Sequence, residues 1–508
     1  MDYESADLAA RVEEAEIYSI AVRSSLNVAP ILSERLANTV MLKREDQQPT
    51  FSFKIRGAAN KILCLSDDEV AHGVICSSAG NHAQGVALAA ARRGVRAVVV
   101  MPETTPSIKV DAVRALGGEV VLHGRGYEDA HALASKMADN EGLCFVHPFD
   151  DLSVVAGQGT IGREILDQVT GRIDAVFVPI GGGGLAAGIA TYIKVKRPDV
   201  AVFGVEPVDA ASMQAAFDNG EPVTLDHVGS FADGVAVKRV GDLNYRFCRQ
   251  HLDGIITVTT DEICAGIRDI FEDTRTVVEP SGALAVAAIR KYVEERGVTD
   301  QTLVAINCGA NMNFDRLGHV TERTAIGDRR EAILAVEIPE EKGSFLRFCQ
   351  VIGERHVTEF NYRRNRSDRA RVFVGLELRG GEQDRSDLIE NLRSQGYGVN
   401  DLTDNEMAKV HVRHLSGGTA ADVSAERVYR FEFPERRGAL LDFLQAVGVT
   451  WNITLFHYRN HSSDYGRVLV AIEVPESTMT EFQRHLDELG YRYWDETANE
   501  AYQLFLKA

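Results

Sequence analysis

Four short segments of this 508-residue chain combine chemically capable side chains with the small residues that let a backbone approach a ligand closely. In PTFSFKIRGAANKI, Lys54 lies between apolar Phe53 and Ile55 in the first turn of a predicted helix that Ser52 is placed to cap. Partial burial and the positive end of the helix dipole both disfavour the ammonium form. A neutral amine there is a nucleophile able to form a Schiff base with an aldehyde cofactor. Taken alone, Lys54 fits better as a lysine whose stem covers apolar surface while its head reaches water. In GVICSSAGNHAQG, an apolar strand runs through Ser78, Ala79 and Gly80 into a helix near Asn81. Free N–H groups at such a helix start hold a carboxylate, and the Asn81 amide can bond a cofactor oxygen. Ordinary capping by Ser78 or Asn81 is the competing explanation. His82 has no partner at metal-ligand spacing, so no metal site is expected.

The third segment, AVFVPIGGGGLAAG, drives a buried strand into Gly181, Gly182, Gly183 and Gly184 and then a helix opening at Leu185. Four glycines let the backbone wrap an anion, and phosphate is the natural guest. The spacing is not G-x-G-x-x-G, and no acidic residue is placed for a ribose, which argues against a dinucleotide site. A purely structural turn would need no such concentration of entropically costly residues. In the fourth, TLVAINCGANMNF, a strand ends at Cys308 beside Gly309, where a thiol can touch a cofactor or simply fill the core.

The elements that must position these residues follow from periodicity. From about Val40 to Asn313, short β-branched runs alternate with Ala-rich helical stretches, which predicts a mostly parallel sheet covered by helices, with ligands outside the C-terminal strand ends. Beyond the charged stretch HVTERTAIGDRREAI the chain repeats itself: AILAVEIPEEKGSFLRFCQVIG is echoed by RVYRFEFPERRGALLDFLQAVG. Pro339 pairs with Pro434, Gly343 with Gly438, and Tyr362 with Tyr458 after a one-residue deletion. Each copy reads strand, turn, helix, strand, strand, helix, and RHLSGGTAAD is the expected linker between two α+β modules.

Composition narrows the partners. The net charge of −19 opposes a nucleic-acid footprint or an anionic membrane surface, since both require basic patches. Seven cysteines without a CxxC pair indicate neither a disulfide framework nor a zinc site, and a reducing compartment is expected. The acidic N-terminal stretch reads as an amphipathic helix rather than a signal peptide, no apolar run is long enough to span a bilayer, and the cytoplasm is the expected location.

Taken in this order, SFKIRGA, SSAGNHAQG, GGGGLAAG, VVEPSGALA and NCGANMNF resemble the threonine and serine dehydratase family of fold-type II pyridoxal-phosphate enzymes. The C-terminal repeats, with FPERRGALLDFL and LFHYRNHSSDYGRVLVA, look like the paired ACT-like regulatory modules of biosynthetic threonine dehydratases. The resemblance implies an α/β, tryptophan synthase β-like catalytic domain over residues 1–328. It further implies two α+β ACT-like domains over residues 329–416 and 424–508. Its cofactor is pyridoxal 5′-phosphate, its substrate L-threonine or L-serine, its effectors L-isoleucine as inhibitor and L-valine as counter-effector, and its assembly a homotetramer.

By that resemblance Lys54 is the Schiff-base lysine, flanked by the cofactor contact Phe53. Asn81 bonds the phenolic oxygen, Gly181 to Leu185 hold the phosphate, and Cys308 faces the pyridine nitrogen. Ser78, Ala79 and Gly80 receive the substrate carboxylate. Many threonine dehydratases carry serine where Cys308 stands, so substrate preference is less defined than reaction type. Serine racemase shares the lysine and phosphate loops, but its family places a serine before Gly-Asn as the acid on the opposite face, where this chain has Ala79. A catalytically silent amino-acid sensor is the reading from another class, opposed by the joint presence of Lys54, Asn81 and the four glycines. The loops around Gly343 and Gly438, with Tyr362 and Tyr458, are expected at the effector sites, with core packing as the equal alternative for the tyrosines.

Overall fold

A computed structural model describes residues 3–339, 344–353, 355, 357–362, 369–414, 425–434, 442–443, 446–447, 450–459 and 465–506. The chain divides into two compact units, Met1–Asn313 and Phe314–Ala508. Among the described residues no helix is long and apolar enough to cross a membrane.

Several apolar runs of the first unit become strands buried along their whole length, such as β4 (Ala97–Met101) and β7 (Ala175–Pro179). Continuous burial is what a parallel strand covered on both faces requires. The single sheet expected from periodicity is in fact two. One has six strands, β1 (Leu26–Val28), β2 (Thr39–Arg44), β10 (Thr302–Asn307), β7, β8 (Ala201–Pro207) and β9 (Gly254–Val258), in that order. All its neighbours run parallel except β1 against β2. The other is wholly parallel, in the order β5 (Glu119–Leu122), β4, β3 (Val74–Ser77), β6 (Cys144–Phe145).

A layer of helices built for close approach joins the unit together. Lys54–Cys64 packs on both Asn81–Arg93 and Leu152–Gln168, and the last packs on Gly184–Lys196. The crossing of Leu152–Gln168 with Gly184–Lys196 depends on Gly188, where a Cβ would stand 2.4 Å from the Val155 carbonyl oxygen.

In the second unit each repeat gains a strand that the sequence pattern did not indicate. The first copy runs β11 (Glu331–Pro339), helix Ser344–Ile352, β12 (Val357–Tyr362), β13 (Arg369–Glu377), helix Gly381–Ser394 and β14 (Gly398–Asp401). The second supplies β15 (Glu426–Pro434), β16 (Asn452–Arg459), β17 (Tyr465–Glu473), helix Met479–Leu489 and β18 (Arg492–Asp495). Both sheets are antiparallel with the same order, β12-β13-β11-β14 and β16-β17-β15-β18. The duplication extends to irregularities, because the ladder shifts register at Thr358 in one copy and at Thr454 in the other. Their hydroxyls bond the corresponding carboxylates, Glu331 and Glu426. Strand alternation sends Leu334, Val336 and Ile338 to the helices of their own copy, while Ile333 and Ala335 meet Val428, Leu469 and Ala471 of the other.

Candidate active site

Lys54 opens the helix Lys54–Cys64 and is half-buried, with its Nζ donating to the Pro148 carbonyl at 3.0 Å. Burial pushes its ammonium down to about 8, against weaker opposing effects of Cys308 and Glu279. The expected cap by Ser52 does not form. Phe53 occupies the position before the helix in helical conformation, without a capping side chain, and the chain reaches it through Phe51 at φ 54°. Ser52 instead bridges to Gly309, and its hydroxyl is buried with no hydrogen-bond partner among the described residues.

Two residues beyond the lysine, Arg56 anchors the same helix in a fully buried ion cluster. Its guanidinium meets Glu45 at 2.7 Å and Glu164 at 2.6 Å, and Lys43 reaches Glu164 at 2.5 Å, all four side chains at 0 % exposure. Ser24 and Tyr18 complete the shell through hydroxyl bonds to Glu45 and Glu164. Two positive and two negative charges balance, which is the condition for such a cluster to survive away from water.

The loop after β3 delivers Asn81. Ser78 does not cap the following helix: its Oγ accepts from the Gly80 N–H at 3.3 Å, forming a turn two residues long, and Gly80 precedes the helix without a capping side chain. Nor is Asn81 spent on capping. Its Nδ2 donates to Glu279 Oε1 at 2.8 Å and its Oδ1 accepts from Asn311 Nδ2 at 2.7 Å. His82 bonds the Val146 carbonyl at 2.9 Å and is pushed down to about 3 by burial and by Lys54, so it is a neutral core residue. Among the described residues no cluster could hold a metal ion.

The four glycines follow β7 and lead into the helix Gly184–Lys196. The Gly182 carbonyl accepts from Asn244 Nδ2 at 2.9 Å and from the Gly241 N–H at 3.1 Å. Gly183 precedes the helix without a capping side chain, so the first N–H groups, which no intrahelical carbonyl can satisfy, are open to a guest. Glycine is needed here for space as well as conformation. A Cβ on Gly182 would lie 2.2 Å from the Phe149 ring, and Gly183 sits at φ +95°.

Cys308, just beyond β10, is 2 % exposed and donates to the Ser281 carbonyl at 3.2 Å. Burial first, and the Glu279 carboxylate second, push its thiol far up, so it is neutral at any working pH.

Lys54, Phe53, Asn81, Gly181 to Leu185 and Cys308 thus line one cavity, although they span most of the first unit's sequence. Ser78, Ala79 and Gly80 do not line it; they occupy the turn immediately before Asn81. Sequence reasoning missed Phe149, Gln158, Glu279 and Ser281 in the lining, and Asn244 and Asn311 behind it. VVEPSGALA carried the one available signal for Glu279 and Ser281, an acid and a hydroxyl opening the helix Pro280–Arg296. Gln158 adds a buried Oε1 without a partner among the described residues. The set fits pyridoxal phosphate: an amine for its aldehyde, a glycine cradle at a helix start for its phosphate, an amide donor and a neutral thiol for its ring.

In the second unit Tyr362 pairs with Val372 and Tyr458 with Val468, matching positions of two matching strands. Their side chains, and Gly343 and Gly438, lie outside the described residues.

Comparison with known proteins agrees with this construction. Residues 22–309 match the family described as pyridoxal-phosphate dependent enzyme. Residues 322–412 and 417–506 match the C-terminal regulatory domain of threonine dehydratase. A biosynthetic L-threonine dehydratase of Burkholderia multivorans is 53% identical over 506 residues, covering 99% of both chains. That of Escherichia coli is 51% identical over 503 residues, 99% of this chain and 98% of the other. Among solved structures, the processed threonine deaminase isoform 2 of Solanum lycopersicum is 46% identical, with a TM-score of 0.63 over 64% of this chain and 94% of that one. A serine racemase of Dictyostelium discoideum is 31% identical, with a TM-score of 0.56 over 60% of this chain and 99% of that one. A lysine-bearing, glycine-cradled cavity followed by a duplicated regulatory unit, matched end to end at this identity, means that the chain belongs to the family of biosynthetic threonine dehydratases.

Proposed function

We propose that the protein uses pyridoxal 5′-phosphate to dehydrate and deaminate L-threonine, releasing 2-oxobutanoate and ammonia on the way to isoleucine. The observation that carries this reading is the cavity in which Lys54, Asn81, the glycine loop and Cys308 converge. Gly181 to Leu185 would hold the phosphate with backbone N–H groups, Asn81 would donate to the phenolic oxygen, Phe53 would pack beside the ring, and Cys308 would lie against the ring nitrogen. When bound, the cofactor supplies an electron-withdrawing ring that makes the substrate Cα–H acidic.

Lys54 would hold the cofactor through its aldehyde and, once free of it, would offer its Nζ as a base inside the same cavity. With its ammonium lowered to about 8, the freed Nζ is sufficiently often neutral to remove the Cα proton near neutral pH. The Cys308 thiol stays uncharged, so it would not stabilise a protonated ring nitrogen as a carboxylate would, a setting that would favour loss of the β-hydroxyl over return of the proton to Cα. Ser78, Ala79 and Gly80, which stand beside the cavity rather than in its lining, would receive the substrate carboxylate at the helix start. L-serine is the second substrate of the same geometry. The likeness to serine racemase supports a racemase reading as the alternative; Ala79, where that family uses serine, weighs against it.

Residues 1–328 serve as the catalytic domain and residues 329–416 and 424–508 as two sensing domains, in which Tyr362 and Tyr458 contribute to effector sites. L-isoleucine inhibits, L-valine opposes it, and a homotetramer in the cytoplasm carries the coupling between sensor and site. The test is 2-oxo acid release from L-threonine and L-serine by purified protein with pyridoxal phosphate, with and without L-isoleucine. Release from threonine that isoleucine suppresses is expected. No oxo acid from either substrate would overturn the reading, and D-serine formation would transfer it to the racemases.

A further inference from the structure

We infer that Glu279, with Asn311, is a positioning residue that fixes which face of the Asn81 amide meets the cofactor. The inference rests on the reading that Asn81 bonds the phenolic oxygen, and it assigns a role to two residues that lie 198 and 230 positions away in sequence.

An asparagine side chain is nearly symmetric in shape but opposite in function at its two ends, one a pure acceptor and the other a double donor. Flipped by half a turn, Asn81 would aim a carbonyl oxygen at an oxygen of the cofactor and repel it. The surrounding hydrogen bonds exclude that flip by a chain of unambiguous partners. The Thr50 carbonyl can only accept, so the Asn311 atom 2.8 Å from it is Nδ2. That Nδ2 faces Asn81 at 2.7 Å, which makes the facing atom Oδ1. The opposite end of Asn81 is therefore Nδ2, and it meets the Glu279 carboxylate at 2.8 Å. One Nδ2 hydrogen is held by Glu279, and the other is left for the cavity that both side chains line.

Glu279 is itself held by donors. It is 4 % exposed, its Oε1 accepts from Ser281 Oγ at 2.6 Å, and its Oε2 accepts from the Asn311 N–H at 3.1 Å. No backbone carbonyl is among these partners, so the group is fitted as an acceptor. Gly309 preserves the space for it: a Cβ there would stand 2.6 Å from Oε1. Asn311 thus fixes Asn81 from one end by its side chain and the carboxylate from the other by its backbone.

The experiment is a double-mutant cycle on the cofactor-loaded protein with Glu279→Ala, Glu279→Gln, Asn81→Ala and the Glu279→Ala/Asn81→Ala pair. The readouts are the absorption maximum of the bound cofactor and kcat and KM for L-threonine. Glu279→Ala should shift the absorption band and lower kcat by about tenfold or more while KM moves by no more than about twofold. Glu279→Gln, which keeps one carbonyl acceptor, should recover part of both. In the Asn81→Ala background the Glu279 change should add nothing, because the residue it positions is gone. An unshifted band with unchanged kcat, or effects that multiply in the double variant, would overturn the inference. If Glu279→Ala fails to fold by circular dichroism, Asn311→Ala enters the same cycle with the same expectations. Wild-type protein lacking cofactor-dependent turnover of threonine would instead defeat the functional reading beneath it.

Discussion

Replacing Glu164 by alanine tests whether the buried ion cluster under the lysine helix holds the catalytic unit together. Glu164 accepts from Arg56 Nη1 at 2.6 Å and Nη2 at 3.0 Å, from Lys43 at 2.5 Å, from Tyr18 at 2.8 Å and from the Ser24 N–H at 3.2 Å. Its removal leaves Lys43 and Arg56 facing Glu45 alone, so one positive charge stays in the core without a counter-charge. Breaking a buried pair in this way costs about 3–5 kcal/mol. Over the residues of the first unit, Met1–Asn313, an unfolding entropy of about 2.1 cal/mol/K per residue converts that loss to a fall in melting temperature of roughly 5–8 °C. Scanning calorimetry of the cofactor-free protein measures it, with Glu119→Ala as control. That variant breaks an exposed contact to Arg96 and should shift the transition by no more than about 1 °C. Because Arg56 and Lys54 share one helix, the Glu164 variant should also bind pyridoxal phosphate more weakly. A Glu164→Ala transition within about 1 °C of wild type would refute the view that charge balance, rather than packing alone, holds this helix in place.

Three further expectations concern the site and the sensor. Burial sets Lys54 at about 8 against an ordinary 10.5, so between those values the unfolded chain binds a proton the fold does not, and stability rises with pH across that window. Lys54→Met should therefore raise the melting temperature of the cofactor-free protein at pH 7, by a margin that closes as pH climbs through the window; a margin independent of pH would contradict this. Gly182→Ala should abolish cofactor binding because its Cβ overlaps the Phe149 ring, and adding Phe149→Ala should restore part of it in a fluorescence titration; a double variant no better than the single would place the defect elsewhere. Tyr458→Ala should keep threonine turnover and lose isoleucine sensitivity, and unchanged inhibition curves would remove that residue from the effector site.

The parts of the site legible in sequence are those whose signals are local. The run of four glycines before a helix, the lysine between apolar neighbours and the cysteine at a strand end each announce their chemistry within a few residues. Glu279 and Asn311 do not, because their meaning lies in bonds to Asn81 across 198 and 230 residues, which no spacing rule reaches. The Ser52 cap failed for a local reason of another kind: Phe51 takes positive φ and Phe53 helical φ, so the helix starts one residue later than the hydroxyl could serve. Alternating strands and helices revealed a parallel architecture but not its division into two sheets, since periodicity records burial and not neighbours. The closing strands β14 and β18 were missed because each has only four residues, reached by a short turn from a helix.

The regulatory repeats meet through corresponding parts. Asn405 and Asn499, which cap equivalent short helices, bond each other at 3.3 Å, and the two sheets share a core to which each contributes the face opposite its own helices. A residue touching its own counterpart is the mark of an isologous contact, the kind found between identical subunits. The two repeats meet as a pseudo-symmetric pair written into one polypeptide, with the tether replacing encounter by a fixed effective concentration. Its assembly does not depend on how much protein the cell makes. Its halves, unlike true copies, inherit mutations separately, so one can change its ligand while the other keeps the interface intact.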